Sequence, residues 1–330
     1  MCSTVPIVFA LKTGRCPSRG PGQVRVRLAR AGICGSDLHG YTGESGRRAP
    51  GMVMGHEASG WIETTGPGVE MPLGTLVTFN PAIPCSCGHH ATNRCLELRV
   101  VGATPELPGA FADALVIPAD RVVPVGELSP EWAAGVEPMA VALQAADQAG
   151  VRPGDRVLVV GGGMIGQCAA QAAFVRGAGE VVVSDPVPHR RAVAEACGFR
   201  GVEPDALPGL GTFDRAIDCV GISASAAPAI RAVPKGGVVC LVGLGLPEVT
   251  LPLFDVVVAE RTLVGSFCYT GEVFVEAARL LGGGRLDLAP LIGDVIELAE
   301  VPGAFEDLAR GTRHETKVMV TTGADGPELA

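Results

Sequence analysis

The chain has 330 residues, 47% of them hydrophobic and 18% charged, and its 26 basic and 35 acidic side chains give a formal net charge of −9. A single core stops growing at about 250–300 residues, so two domains are expected, and neither a disulfide nor a metal is needed merely to hold the chain together. The acidic balance, with no basic cluster longer than the pairs Arg47-Arg48 and Arg190-Arg191, excludes a phosphate-backbone partner, and no nucleic acid is expected.

The first apolar run, residues 5–11, lacks the basic start and small-residue cleavage site of a secretory signal. No stretch approaches the ~20 apolar residues that span a bilayer, so a cytoplasmic protein without a membrane partner is expected. Eleven cysteines spread over such a chain fit reduced thiols and metal ligands better than a disulfide framework. Up to residue 136, short β-type runs such as "QVRVRLARAGI", "GWIETTG", "GTLVTFNPAI" and "ADALVIPADRVVPV" are cut repeatedly by Gly, Pro and Asn. Short runs with frequent breakers predict an antiparallel or barrel-like β region.

Three stretches of this region carry candidate metal ligands: "GICGSDLHGYTG" with Cys34, "MGHEASG" with His56 and Glu57, and "GVEPMAVALQ" with Glu137. Taken singly, Cys34 reads better as a buried apolar thiol, and His56 with Glu57 as a surface dipeptide, than as metal ligands. Together they supply a thiolate, an imidazole and two carboxylates, the ligand set of a catalytic zinc with one coordination position open. A further loop, "NPAIPCSCGHHATNRC", holds Cys85, Cys87 and Cys95 with His89 and His90. Two readings stand side by side there: a closed Cys3His zinc site using His89, or a lobe that has lost its metal and keeps the cysteines as remnants.

From Pro138 onward apolar strands alternate with Ala-rich helical stretches: "DRVLVVGGG" then "MIGQCAAQAAFVRGAG", "EVVVSDP" then "PHRRAVAEACG", "FDRAIDCVG" then "SASAAPAIRAVPKGG", and finally "VVCLVGLG". Repeated strand-helix units with continuous Val/Leu/Ile strands predict a doubly wound parallel sheet, buried on both faces. The first turn places Gly161, Gly163 and Gly166 in a G-x-G-x-x-G pattern between a strand and the helix opened by Met164 and Ile165. Gly161 permits the sharp turn, Gly163 lets a pyrophosphate approach the backbone, Gly166 lets the helix pack on the sheet, and the helix N-terminus attracts the anion. The next strand ends in Asp185, 19 positions after Gly166, where a carboxylate can accept hydrogen bonds from ribose hydroxyls and repel a 2′-phosphate. NAD is therefore expected over NADP, with Arg190 and Arg191 close by as the feature favouring the phosphate. Beyond residue 270, two amphipathic helices and a closing strand "KVMVTT" are too little for a domain and are expected to complete the N-terminal one.

These motifs, from "PGQVRVRLARAGICGSDLH" through "GHEASG" and "GDRVLVVGGGMIG" to "ERTLVGSFCYT" and "KVMV", resemble in order and approximate spacing the medium-chain dehydrogenase/reductase superfamily, in its zinc-dependent alcohol and polyol dehydrogenase branch. The resemblance implies an α/β architecture of a GroES-like β-barrel catalytic domain, residues 1–137 and 271–330, around a Rossmann NAD-binding domain, residues 138–270. It implies that Cys34 and His56 bind catalytic zinc, that Glu57 is a direct or exchangeable ligand, and that Glu137 takes a ligand position or holds the zinc-bound water. Ser36 and His39 resemble the hydroxyl and imidazole of the family's proton relay, and imidazole titrates near the pH at which such a relay works. Asp37 reads as a brace for its loop. The implied reaction interconverts a secondary alcohol, diol, polyol, cyclitol or amino-sugar hydroxyl with its ketone, and Cys268 before Tyr269, where polyol members commonly carry Arg, argues against a sugar alcohol. Members commonly form homodimers or homotetramers. The competing classes are a zinc-free quinone or enoyl reductase on the same fold, which would not need the four ligands, and a non-catalytic nucleotide-binding relative.

Overall fold

A computed structural model describes residues 19–43, 48–86, 88, 91–323 and 326. The chain first lays down β1 (Gln23–Gly32), α1 (Gly35–Tyr41), β2 (Glu57–Thr65), β3 (Leu76–Phe79), β4 (Ala82–Ile83), β5 (Arg99–Val100), β6 (Ala114–Pro118), β7 (Val122–Pro124) and α2 (Pro130–Ala134). After α3 (Val136–Ala149) come β8 (Arg156–Val160), α4 (Met164–Val175), β9 (Glu180–Ser184), α5 (Pro188–Ala196), β10 (Arg200–Val202), β11 (Arg215–Asp218), α6 (Ser223–Ala232), β12 (Val238–Leu241), α7 (Leu253–Val258) and β13 (Thr262–Gly265). The tail adds α8 (Gly271–Gly282), β14 (Ile292–Glu297), α9 (Val301–Arg310) and β15 (Lys317–Thr321).

Two compact units result. The first comprises residues 1–137, 270–282 and 292–330, and the second residues 138–269 and 283–291. The tail expected to join the first unit is thus divided, since residues 283–291 pack with the second: the N–H of Asp287 donates to Gln171 Oε1 at 2.7 Å, and Gln171 Nε2 donates to the Asp287 carbonyl at 2.6 Å.

The first unit is built on a mixed sheet ordered β14-β15-β1-β2-β3-β7, with β6 also paired to β1. Every pairing is antiparallel except β14 with β15. In β1 apolar and polar residues alternate, so Val24, Val26 and Leu28 enter the core while Arg25 and Arg27 lie at its margin. Phe79, Ile117, Phe305 and Val320 meet the β1 side chains there. Two registers position the metal-ligand candidates: Gly32 of β1 stands opposite Glu57 of β2 on one side and opposite Met319 of β15 on the other.

The second unit holds a wholly parallel sheet ordered β10-β9-β8-β11-β12-β13. Strand order reverses between β8 and β11, the topological switch point at which open α/β sheets bind ligands. Buried Leu158, Val182, Ala216 and Val239 from four adjacent strands form its interior, as continuous apolar strands require. Among the described residues no helix is long and apolar enough to cross a membrane.

Candidate metal centre and nucleotide-binding turn

Cys34 lies two residues beyond the end of β1, and His56 and Glu57 lie at the start of β2. Because Gly32 and Glu57 are cross-strand partners, the ladder itself carries these three residues to one place. One potential ligand atom from each of Cys34, His56 and Glu57 lies within 4.8 Å of the others, the sole such group among the described residues. His56 and Glu57 are buried and Cys34 is half-buried. A thiol, an imidazole and a carboxylate converging out of water are the donors that zinc takes, so the residues present fit the ion.

Around them lies an ordered polar shell. Cys34 caps α1, its sulfur accepting from the Ser36 N–H at 3.5 Å and from the Ser36 hydroxyl at 3.4 Å. Behind His56 stands fully buried Asp37, whose Oδ1 is 3.5 Å from His56 Nδ1 and accepts from Arg48 Nη2 at 3.0 Å. Burial opposes ionisation of Asp37, but His56 and Arg48 outweigh it and hold the carboxyl below its ordinary range. Burial likewise opposes a charge on His56, yet Asp37 and Cys34 prevail and raise its pKa well above the usual imidazole value. A carboxylate behind a metal-binding imidazole orients the ring and increases its basicity as a ligand. Arg48 reaches Asp37 by laying its stem across Gly40, where a Cβ would come 2.1 Å from Arg48 Cγ.

Glu57 has a partner that the motif reading did not name. Lys317, the first residue of β15, places Nζ 2.6 Å from Glu57 Oε2 and 2.9 Å from the Ile33 carbonyl, both side chains being buried. The signal was present in the sequence: a lone lysine opening the apolar strand "KVMV" must find a counter-charge if that strand is central. Arg48, from the pair Arg47-Arg48, carries no sequence signal for its pairing with Asp37, since only the path of the intervening chain brings the two together.

The other site candidates are placed as follows. Ser36 is exposed on α1 and His39, three residues later on the same helix, is half-buried. Glu137 is buried in the first turn of α3 but does not belong to the group formed by Cys34, His56 and Glu57. In the cysteine lobe, Cys85 and Cys95 bring their sulfurs to 3.4 Å, and the Cys85 N–H, donating to Cys95 Sγ at 3.2 Å, holds that thiol below its ordinary range. Cys87, His89 and His90 lie outside the described residues. Burial pushes the thiol of Cys240 up to about 12, as suits a cysteine that fills a core, whereas Cys197, expected from the sequence to fill the core too, is only half-buried at the end of α5, its thiol pushed up to about 11 by burial and by Asp287.

The glycine turn has the local geometry its pattern needs. Gly161 has φ +96, and a Cβ there would come 2.5 Å from the Val220 side chain. A Cβ on Gly166 would sit 1.7 Å from the Gly161 carbonyl oxygen, so only glycine lets α4 approach β8 this closely. At Gly163, the residue capping α4 ahead of Met164 and Ile165, a Cβ would meet open space, leaving the backbone accessible from outside. Asp185 follows β9 directly and is buried. It accepts from the Gly162 N–H at 2.8 Å and the Val187 N–H at 2.7 Å, which ties the end of β9 to the glycine turn. Arg190 lies 3.5 Å from Asp185 with about half its side chain exposed, whereas Arg191 is engaged by Glu203 at 2.8 Å.

Comparison with known proteins identifies the family. Residues 20–130 match the alcohol dehydrogenase GroES-like domain and residues 165–282 match the zinc-binding dehydrogenase domain. The sorbitol dehydrogenase of Arabidopsis thaliana is 34% identical over 92% of this chain and 89% of its own length. The L-idonate 5-dehydrogenase of Vitis vinifera is 33% identical over 89% of this chain and 87% of its own. Among solved structures, a zinc-binding dehydrogenase of Sinorhizobium meliloti 1021 bound to NADP superposes with a TM-score of 0.85 at 29% identity, covering 92% of this chain and 93% of that one. The chain belongs to the zinc-dependent medium-chain dehydrogenase/reductase superfamily, in its alcohol and polyol dehydrogenase branch.

Proposed function

We propose that this member of the family is an NAD(H)-dependent oxidoreductase that interconverts a secondary alcohol of a diol, polyol, cyclitol or amino sugar with its ketone. The observation that carries the reading is the convergence of Cys34, His56 and Glu57 within 4.8 Å in a buried setting. Cys34 and His56 would hold the ion, with Glu57 a direct or exchangeable ligand and Glu137 taking a further position or holding a bound water. When bound, zinc would supply a Lewis acid that lowers the pKa of the substrate hydroxyl, and NAD would supply the hydride acceptor. Ser36, beside the Cys34 sulfur, would accept the substrate hydroxyl proton while releasing its own towards the nicotinamide ribose, and His39 on the next turn of α1 would take that proton from the ribose and pass it to solvent. Asp37, backed by Arg48, keeps the His56 ring in the orientation its ligand role requires.

In the second unit, Gly161, Gly163 and Gly166 with Met164 and Ile165 form the pyrophosphate turn, and Asp185 receives the adenosine ribose hydroxyls with Arg190 alongside. NAD is proposed over NADP because Asp185, fixed by two backbone N–H groups, would present a rigid acceptor to the ribose. The relative solved with NADP and the half-exposed Arg190 make the cofactor ratio the quantity to measure. The relatives named for sorbitol and L-idonate support a polyhydroxylated substrate. The sulfurs of Cys85 and Cys95 are close enough to share one ion, and a second, structural zinc is proposed on that basis. We also propose a homodimer or homotetramer.

The test is metal content with turnover. Purified protein should carry one zinc per chain, or two with a loaded lobe. Cys34→Ala and His56→Ala should each lose one equivalent and reduce turnover by several orders of magnitude, while NADH affinity stays within about threefold. A zinc-free protein that still oxidises alcohols would overturn the reading.

A further inference from the structure

Glu57 is held by more than its place on β2. Its Oε2 lies 2.6 Å from Lys317 Nζ, and that ammonium also donates to the Ile33 carbonyl at 2.9 Å, so Lys317 is anchored to the strand end beside the metal centre. The same oxygen occupies space that only a glycine leaves free, since a Cβ on Gly32 would come 2.2 Å from Oε2. Lys317 is brought there by the ladder, with Gly32 opposite Met319 and the Ile33 N–H donating to the Val318 carbonyl at 3.0 Å. Both charges are almost wholly removed from water, their side chains being 2% and 1% exposed.

We propose that Lys317 is a positioning residue that competes with the metal for Glu57: the ammonium is the carboxylate's partner in the metal-free protein and restrains it as an exchangeable ligand in the loaded one. The inference rests on the zinc reading above. A buried carboxylate stripped of its counter-charge is costly. Removing Lys317 therefore raises the free energy of the metal-free form, where Glu57 is left alone, more than that of the loaded form, where the ion compensates it. The consequence is opposite to that of losing an ordinary supporting contact, because zinc should bind more tightly without Lys317. The C-terminal strand thus limits how firmly a carboxylate grips the ion, which preserves the Lewis acidity that a further strong anionic ligand beside Cys34 would diminish.

The experiment measures zinc affinity of the full chain by competition with a chromophoric chelator, taking as this site the equivalent that disappears in Cys34→Ser. Outer-shell changes typically move metal affinity by about 10–100-fold. Lys317→Met should tighten binding by at least about tenfold and enlarge the rise in Tm on adding zinc, whereas Glu57→Gln should weaken binding. In the double variant the gain should vanish, leaving the affinity of Glu57→Gln. Lys317→Gln, which can still donate to the Ile33 carbonyl, should reproduce the tightening if Lys317→Met fails to fold without metal. Unchanged or weaker binding in the Lys317 variants overturns the proposal, as does a gain that persists in the double variant and so acts by charge without Glu57. If Cys34→Ser loses no zinc, the reading of the metal centre fails; if it loses one equivalent and Lys317 has no effect, only this inference fails.

Discussion

At the scale of single residues the chemistry depends on what stands behind each side chain. Asp185 spends both carboxylate oxygens on backbone amides, so it is a rigid group, and rigidity makes it discriminating. Replacing it by Ser should lower the ratio of kcat/KM for NAD over that for NADP by at least about tenfold, because both an acceptor for ribose hydroxyls and a charge repelling phosphate are lost. Parallel steady-state assays with the two cofactors measure it, and an unchanged ratio would remove Asp185 from the proposed site. The candidate donors Cys34, His56 and Glu57 were recognisable from type and motif alone. Lys317 and Arg48 were not, because the identity of a buried charge's partner depends on strand pairing over hundreds of residues of chain, from Glu57 to Lys317 in one case, and on the path of a loop in the other.

Elements turn these residues into sites. The pairing of β1 with β2 fixes Cys34 against His56, and a one-residue slip would turn Glu57 to the opposite face of the sheet. The turn between β8 and α4 is equally constrained. Gly166→Ala forces a methyl group into the Gly161 carbonyl, so α4 must lift from β8. We expect a loss of about 1–3 kcal/mol in stability, the usual cost of overpacking, together with at least tenfold weaker NADH binding. Thermal unfolding and titration of NADH fluorescence check the two effects. Strand-helix alternation and the barrel-like β texture were legible because period and breakers are local properties. The division of the tail was not, since whether residues 283–291 pack with one unit or the other turns on contacts such as Gln171 with Asp287 rather than on any pattern within the segment.

For the molecule as a whole, the second unit presents an edge strand, β13, and next to it in sequence the apolar helix α7, whose Leu253, Phe254, Val257 and Val258 are exposed, Phe254 by 78%. An open edge together with exposed large apolar side chains calls for a partner, and a second copy of the chain is the partner proposed here. Phe254→Asp with Leu253→Asp should convert the oligomer to monomers in light scattering while leaving zinc content unchanged; monodisperse monomers of the unaltered chain would sink the proposal.

The linear order of residues settled the fold class and the inventory of donors, because apolar periodicity, glycine spacing and the electronic character of thiol, imidazole and carboxylate belong to short stretches of chain. Which donors share a point in space was settled by sheet register, as was the attachment of Glu57 to Lys317. A hydrogen-bonded ladder couples residues by position across strands, and the desolvation that gives such pairs their strength arises only once those strands have closed over them.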